Sequence, residues 1–118
     1  MLSAAFAILV ALLHCYFALL EMVLWQKPLG LKTFGNTAEK AQTMAVMALN
    51  QGLYNLFLVA GLCASLVLTL PSALVFRYFF FACVVVAGAV GGLTVNKRIF
   101  FVQAVPAILG LAFTFFGL

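Results

Sequence analysis

The chain has 118 residues, of which 68% are hydrophobic and 7% are charged, and its mean hydropathy is +1.30. So few polar residues cannot form a water-soluble surface, which excludes an ordinary soluble globular domain. Since about 20 apolar residues span a bilayer, the length allows four spans and little else. We therefore predict an all-α fold, an integral membrane four-helix bundle in a single transmembrane domain covering residues 1–118.

The apolar stretches predict spans at about residues 2–26, 44–69, 73–95 and 99–118, with a cytoplasmic loop at 27–43. Pro28 and three lysines mark that loop. Near its end, Asn36 followed three residues later by Glu39 resembles a capping box and predicts a helix that starts at about Thr37. Pro106 predicts a kink in the fourth span.

The net charge of +4 comes from six basic residues against Glu21 and Glu39. Most of the basic residues lie beside predicted helix ends, which is typical of topology signals and predicts no nucleic-acid partner. Those on one side of the predicted bundle are Lys27, Lys32, Lys40, Lys97 and Arg98. By the positive-inside rule this side is cytoplasmic, so both termini are predicted to lie outside.

The first span contains the chain's single histidine and one of its two carboxylates. At about 100° per residue, His14, Ala18, Glu21 and Trp25 fall within about 60° on one helix face. An ionisable group exposed to lipid costs about 2.5 to 3.5 kcal/mol, so this face is predicted to look inward, toward polar partners. Trp25, at the end of the span, is predicted to be an interfacial anchor.

Other polar side chains are predicted at a similar depth in the bilayer. At 1.5 Å per residue, Glu21 lies about 6 to 9 Å inside the cytoplasmic end of its span. The residues predicted at comparable or slightly greater depth are Asn50, Gln51, Tyr54 and Asn55 in the second span and Gln103 in the fourth. Together they predict a polar, ligand-binding pocket open to the cytoplasm, with Glu21 at its entrance and His14 at its floor.

A structural interpretation of the same residues stays open. Amides and tyrosine are common in interhelical hydrogen bonds, where they contribute about 0.6 to 2 kcal/mol each and only set helix register. Glu21 could likewise form a structural pair with His14, Arg77 or an amide. A carboxylate costs more free energy in lipid than an amide that could set the helix register equally well, which favours a functional role for Glu21.

Cysteine and glycine patterns give three further predictions. Cys15, Cys63 and Cys83 lie in predicted spans with no CxxC spacing and are expected to be buried apolar fillers. One histidine and one nearby carboxylate do not complete a metal shell, so neither a metal nor a cofactor is predicted. Gly88 and Gly92 form a GxxxG pair, which predicts a close helix contact either within the chain or in a homodimer.

The run Asn-Gln-Gly-Leu-Tyr-Asn at 50–55, together with His14, Glu21 and Trp25, resembles a family of small bacterial four-helix membrane proteins catalogued as domain of unknown function 1304. Gln103, followed by Pro-Ala at 106–107, extends the resemblance over nearly the whole chain. The resemblance implies four spans and an unassigned biochemical role. With the charge asymmetry, it predicts a multi-pass protein of the bacterial inner (plasma) membrane.

The sequence is compatible with three functions. A binding or transport protein would use Glu21 to exchange a proton or to pair with a small cation. A membrane enzyme would use Glu21 as a general acid on a lipid-soluble substrate such as an isoprenoid or quinone, with Tyr54 or His14 as a relay. A packing subunit of a larger complex would use the surface around Gly88 and Gly92.

Overall fold

The computed structural model describes all residues of the chain, 1–118, as helices joined by short connections. The helices are α1 (Leu2–Met22), α2 (Pro28–Phe34), α3 (Ala38–Thr43), α4 (Ala45–Val67), α5 (Ser72–Thr94), α6 (Lys97–Ile99), a π-helical segment (Phe100–Ala104) and α7 (Val105–Phe115). The last three form one continuous helix, Lys97–Phe115, called here the fourth long helix. With α1, α4 and α5 it gives four helices long and apolar enough to cross a membrane, which confirms the predicted number.

The chain divides into two compact units. The first unit combines Met1–Leu13 with Leu58–Leu118, and the second unit is His14–Phe57. Because this boundary falls inside α1 and α4, each of these two helices contributes residues to both units.

Side chains from all four long helices form the core of the first unit. Its buried members are Ala7, Val10, Ala11, Leu62, Phe81, Val84 and Ala107. Phe81 is fully buried, and a Cβ atom added to Gly110 would lie 2.3 Å from its ring. The aromatic ring therefore occupies space that only a glycine in the fourth long helix leaves free.

Gly88 and Gly92 set the close approach of α5 to the fourth long helix. A Cβ atom at Gly88 would lie 2.6 Å from the backbone nitrogen of Ala104, and one at Gly92 would lie 2.7 Å from the Cβ of Phe100. Both distances are too short for any side chain, so the two backbones touch here. The structure thus places both glycines in a contact within the chain.

The fourth long helix changes its winding just before Pro106. Proline lacks an N–H and its ring clashes with the carbonyl four residues earlier. Here the backbone is π-helical over Phe100–Ala104, and Pro106 then lies in the first turn of α7. A wider turn of helix thus directly precedes the proline, and the predicted kink stays a prediction.

The segment predicted to be a loop contains a short helix. Pro28 lies in the first turn of α2, where its missing N–H costs nothing, and Gly35 ends the helix in the left-handed conformation with φ 64°. Gly30 packs on the preceding turn, since a Cβ atom there would lie 1.9 Å from the carbonyl oxygen of Leu24. Pro28, which indicated a loop, is thus in the first turn of a helix that packs through Gly30 and ends at Gly35.

The next helix, α3, begins one residue later than predicted. Its N-cap is Thr37, whose hydroxyl accepts a hydrogen bond of 3.2 Å from the backbone N–H of Lys40. The sequence pattern had assigned the capping box to Asn36. Threonine and asparagine are both favoured N-caps, so the sequence pattern by itself does not distinguish these two neighbours.

Two of the three cysteines are not buried. Cys15 and Cys63 are exposed on the chain, and Cys83 is partly buried. The prediction that all three are buried fillers is therefore wrong for Cys15 and Cys63. A thiol behaves as a small apolar group, so on helices this apolar it is compatible with the outer surface as well as with the core.

Candidate functional site

The polar face of α1 is buried in the second unit. His14 is 1% exposed, Ala18 3% and Glu21 9%. The prediction that this helix face looks inward is confirmed. Two ionisable side chains are consequently removed from the outer surface, and each needs a partner within the protein.

A glycine lets α4 approach this face of α1. A Cβ atom at Gly52 would lie 2.2 Å from Cγ of Met22 and 3.3 Å from the carbonyl oxygen of Ala18. Ala48, one turn earlier, is 4% exposed. Ala48, Gly52 and Asn55 have the i, i+4, i+7 spacing of a single helix face. The two small residues therefore bring Asn55 against α1, within reach of both polar side chains.

Asn55 links His14 to Glu21 by two hydrogen bonds. Nδ1 of His14 donates to Oδ1 of Asn55 over 2.7 Å, and Nδ2 of Asn55 donates to Oε1 of Glu21 over 2.8 Å. An ionised carboxylate can only accept, so Asn55 turns its nitrogen to Glu21 and its oxygen to His14. It follows that Nδ1 carries a proton. We call these three side chains the polar triad.

Each end of the polar triad has an atom without a partner. Nε2 of His14 is buried and makes no hydrogen bond, and the imidazole ring lies nearly perpendicular to the Phe17 ring at a centroid distance of 5.3 Å. At the other end, Oε2 of Glu21 has no hydrogen-bond partner and retains accessible surface. The triad thus has a closed end at the imidazole and an open end at the carboxylate.

The other residues predicted for the pocket lie outside the polar triad. Asn50, Gln51 and Tyr54 are exposed, and their side chains make no hydrogen bonds. The Tyr54 ring contacts Phe57 instead, at 5.9 Å between centroids. Gln103 belongs to the first unit, where it is partly buried in the π-helical segment. A role for these four residues in ligand binding stays a prediction.

Trp25 ties the segment that follows α1 to the end of that helix. Its indole Nε1 donates a hydrogen bond of 2.8 Å to the carbonyl oxygen of Ala41, which is fully buried in α3. The Trp25 ring also contacts Phe34 of α2 at 4.9 Å between centroids. The helices α2 and α3 are therefore tied to Trp25, which follows Glu21 by four residues in the chain. An interfacial position for Trp25 stays a prediction.

Arg77 forms a second polar cluster, in the first unit, that the sequence analysis missed. Its guanidinium donates to Oγ of Ser3 over 3.0 Å and to the carbonyl oxygen of Ser65 over 2.9 Å, while Nε is buried without a partner. The Ser65 carbonyl is among the last four of α4, which have no partner within the helix. Ser3 and Ser65 are buried polar residues in apolar runs, and that was the available signal.

The chemistry open to these residues is that of hydrogen bonds and proton exchange. No cluster of three or more histidine, cysteine, aspartate or glutamate side chains is placed to hold a metal ion. In the polar triad, Asn55 uses both its oxygen and its nitrogen internally. The open carboxylate oxygen of Glu21 is therefore the atom at which the triad can accept a further donor or a positive charge.

Comparison with known proteins identifies one family. The model described as "Protein of unknown function (DUF1304)" matches residues 8–115 of the 118-residue chain. The matched range includes the whole polar triad, Trp25 and Arg77. No curated protein and no solved structure matches the chain.

Proposed function

The chain belongs to the DUF1304 family, whose function is unknown, and from that premise we propose that it is a multi-pass membrane protein that binds a proton or a small cation at Glu21. The observation that carries the proposal is the polar triad. The buried imidazole of His14 donates to Asn55, and Asn55 donates to one carboxylate oxygen of Glu21, so the second oxygen is free. Movement of the bound proton or cation across the membrane is the physiological role we favour.

Membrane insertion is supported by the four long apolar helices. Five of the six basic side chains, in the 27–43 segment and at the start of the fourth long helix, follow the pattern of cytoplasmic loops. We therefore propose an orientation with both termini outside. For a bacterial protein the membrane would be the inner, plasma membrane.

The directions of the two hydrogen bonds favour a negative charge at Glu21. His14 donates to Asn55 and Asn55 donates to Glu21, so both bond dipoles point their positive ends toward the carboxylate. Hydrogen bonds that involve an ionised group are about twice as strong as neutral ones. The low dielectric constant of the surrounding apolar helices strengthens the attraction of this anion for a proton or a cation, relative to the same anion in water.

The size of the free acceptor limits the ligand. Only Oε2 of Glu21 is open, and Nε2 of His14 is enclosed at the far end of the polar triad. A single carboxylate oxygen suits a proton or a small ammonium-type cation better than an ion that needs several protein ligands. Proton binding is the simplest case, since it requires no additional contact.

Infrared spectroscopy of the reconstituted protein tests proton binding directly. We expect a pH titration to show the carbonyl band of a protonated carboxyl group, and this band should disappear in Glu21→Gln. The matched control is Glu39→Gln, because Glu39 is the only other acidic residue and is exposed in the first turn of α3. Survival of the band in Glu21→Gln, or its loss in Glu39→Gln, would contradict the assignment.

Proton flux tests the transport role. We would load liposomes containing the protein with a pH-sensitive dye and apply a membrane potential. Glu21→Gln removes the ionisable carboxylate and should lower the proton flux at least about tenfold. Glu39→Gln should leave the flux unchanged. If the wild-type flux equals that of protein-free liposomes while the infrared band is present, Glu21 binds a proton and the chain does not transport it.

A further inference from the structure

A second candidate site lies in the first unit, between α5 and the start of the fourth long helix. It is a cavity of about 290 Å³ lined by Ala89, Gly92, Leu93, Lys97, Phe100 and Phe101. Five of these residues are apolar and one is charged. The volume is near the lower end of ligand pockets, about 300 Å³, and suits one segment of an acyl chain.

The space exists because of the glycine that brings the two helices together. The Gly92 backbone touches Phe100, and the absence of larger side chains at Ala89 and Gly92 leaves a recess beside that contact. Leu93, on the rim, is 88% exposed, so the cavity opens to the surroundings of the helices. In a membrane those surroundings are lipid.

The one charged side chain that lines the cavity, Lys97, is positive and lacks an acidic partner, and Arg98 is its neighbour in the chain. Lys97 and the adjacent Arg98 are both exposed, and both glutamates of the chain, Glu21 and Glu39, belong to the second unit. No carboxylate side chain in the first unit can therefore neutralise the two cations. A basic recess at the end of membrane-spanning helices is the kind of site that binds anionic lipid headgroups.

Helix stability does not explain these two basic residues. Asn96 caps the fourth long helix by accepting a hydrogen bond of 2.9 Å from the backbone N–H of Arg98, so Lys97 and Arg98 occupy its first turn. Cations there are opposed by the helix dipole, which favours anions at that end. The dipole and the two side chains add to one positive field beside an apolar cavity.

We propose that this cavity holds an acyl chain of an anionic phospholipid whose phosphate is bound by Lys97 and Arg98. The apolar lining suits the acyl chain, and the cations without acidic partners suit the anionic headgroup. The site rests on membrane insertion and is independent of cation binding at Glu21. A topology signal without lipid selectivity is the competing explanation for the same two charges.

Native mass spectrometry in detergent tests the headgroup contacts. The protein is incubated at equal concentrations with phosphatidylglycerol or phosphatidylcholine of identical acyl chains, and the retained lipid is counted. About fivefold preference per basic residue predicts roughly 25-fold selectivity for phosphatidylglycerol in the wild type. The double substitution of Lys97 and Arg98 by glutamine should abolish it. The matched control replaces Lys32 and Lys40, which are exposed in the second unit, and should keep it.

Substitutions in the lining test the acyl chain. Ala89→Leu fills the cavity and should lower the retention of both lipids at least fivefold, whereas Val90→Leu, on the neighbouring exposed position, should not. Leu93→Ala removes part of the apolar lining without adding bulk and should also lower the retention of both lipids. It tests the acyl-chain contact even if Ala89→Leu does not fold.

Three results would overturn the proposal. Equal retention of the two lipids by the wild type would leave Lys97 and Arg98 as topology signals alone. An equal loss of selectivity in the Lys32 and Lys40 control would indicate general surface charge. Unchanged phosphatidylglycerol retention in folded Ala89→Leu or Leu93→Ala would show that the cavity holds no acyl chain. Glu21→Gln should retain phosphatidylglycerol as the wild type does, which separates this site from the proposed cation site.

Discussion

The amide of Asn55 in α4 donates a 2.8 Å hydrogen bond to the carboxylate of Glu21 in α1, and this contact crosses between two helices that are 34 residues apart at these positions. The same amide accepts from His14, so one side chain makes a hydrogen bond to each of two ionisable groups. Removal of Asn55 would leave both without partners. The amide is therefore the position at which stability and the proposed function are most closely connected.

Replacement of Asn55 should destabilise the protein more than that of any exposed polar residue nearby. We expect Asn55→Ala to lower the free energy of unfolding by about 1 to 3 kcal/mol, because it leaves buried polar groups unpaired. Asn50→Ala is the matched control and should stay within about 0.5 kcal/mol, since Asn50 is exposed and its side chain makes no hydrogen bond. Unfolding in mixed detergent micelles measures both, and equal effects would contradict a structural role for Asn55.

Gly52 should tolerate even a small side chain poorly. Gly52→Ala places a Cβ atom 2.2 Å from Cγ of Met22, so the methionine must move or α4 must separate from α1. We expect a loss of about 1 to 3 kcal/mol in unfolding free energy. The double variant with Met22→Ala should recover most of it, because the methionine is the nearest obstacle. No recovery would indicate that the more distant Ala18 carbonyl sets the separation instead.

Arg77 should not be replaceable by lysine. Its guanidinium donates from two nitrogens to groups in two other helices, Ser3 and Ser65, and a lysine ammonium lacks that planar fork. We expect Arg77→Lys to cost about 1 to 2 kcal/mol of unfolding free energy. Arg98→Lys, at an exposed position, should be neutral within about 0.5 kcal/mol. A neutral Arg77→Lys would mean that charge alone is sufficient there.

The indole of Trp25 should hold the short helices in place. Trp25→Phe keeps an aromatic ring beside Phe34 but loses the hydrogen bond to the Ala41 carbonyl, at a cost of about 1 kcal/mol. We expect faster amide hydrogen exchange across residues 28–43, about fivefold at that energy. Tyr54→Phe is the control, because the exposed Tyr54 hydroxyl makes no hydrogen bond, and it should leave exchange unchanged. Wild-type exchange rates in Trp25→Phe would show that the ring contact alone orders the segment.

Composition and length by themselves determined the number of long helices in this protein. Runs of about 20 apolar residues form helices in lipid, because a helix pairs the backbone N–H and C=O groups within the segment itself. The 3.6-residue period likewise placed His14, Ala18 and Glu21 on one face, and the cost of an exposed charge predicted that this face is buried, as it is.

Tertiary packing alone decided which polar residues of α4 meet that face. The polar side chains at 50–55 spread over about 140° of the helix circumference, and their predicted depth in the bilayer does not distinguish them. The buried small residues Ala48 and Gly52 let α1 approach on the side that carries Asn55, leaving Asn50, Gln51 and Tyr54 exposed. Backbone approach depends on the side chains of both helices together, so a periodicity read along one helix cannot determine it.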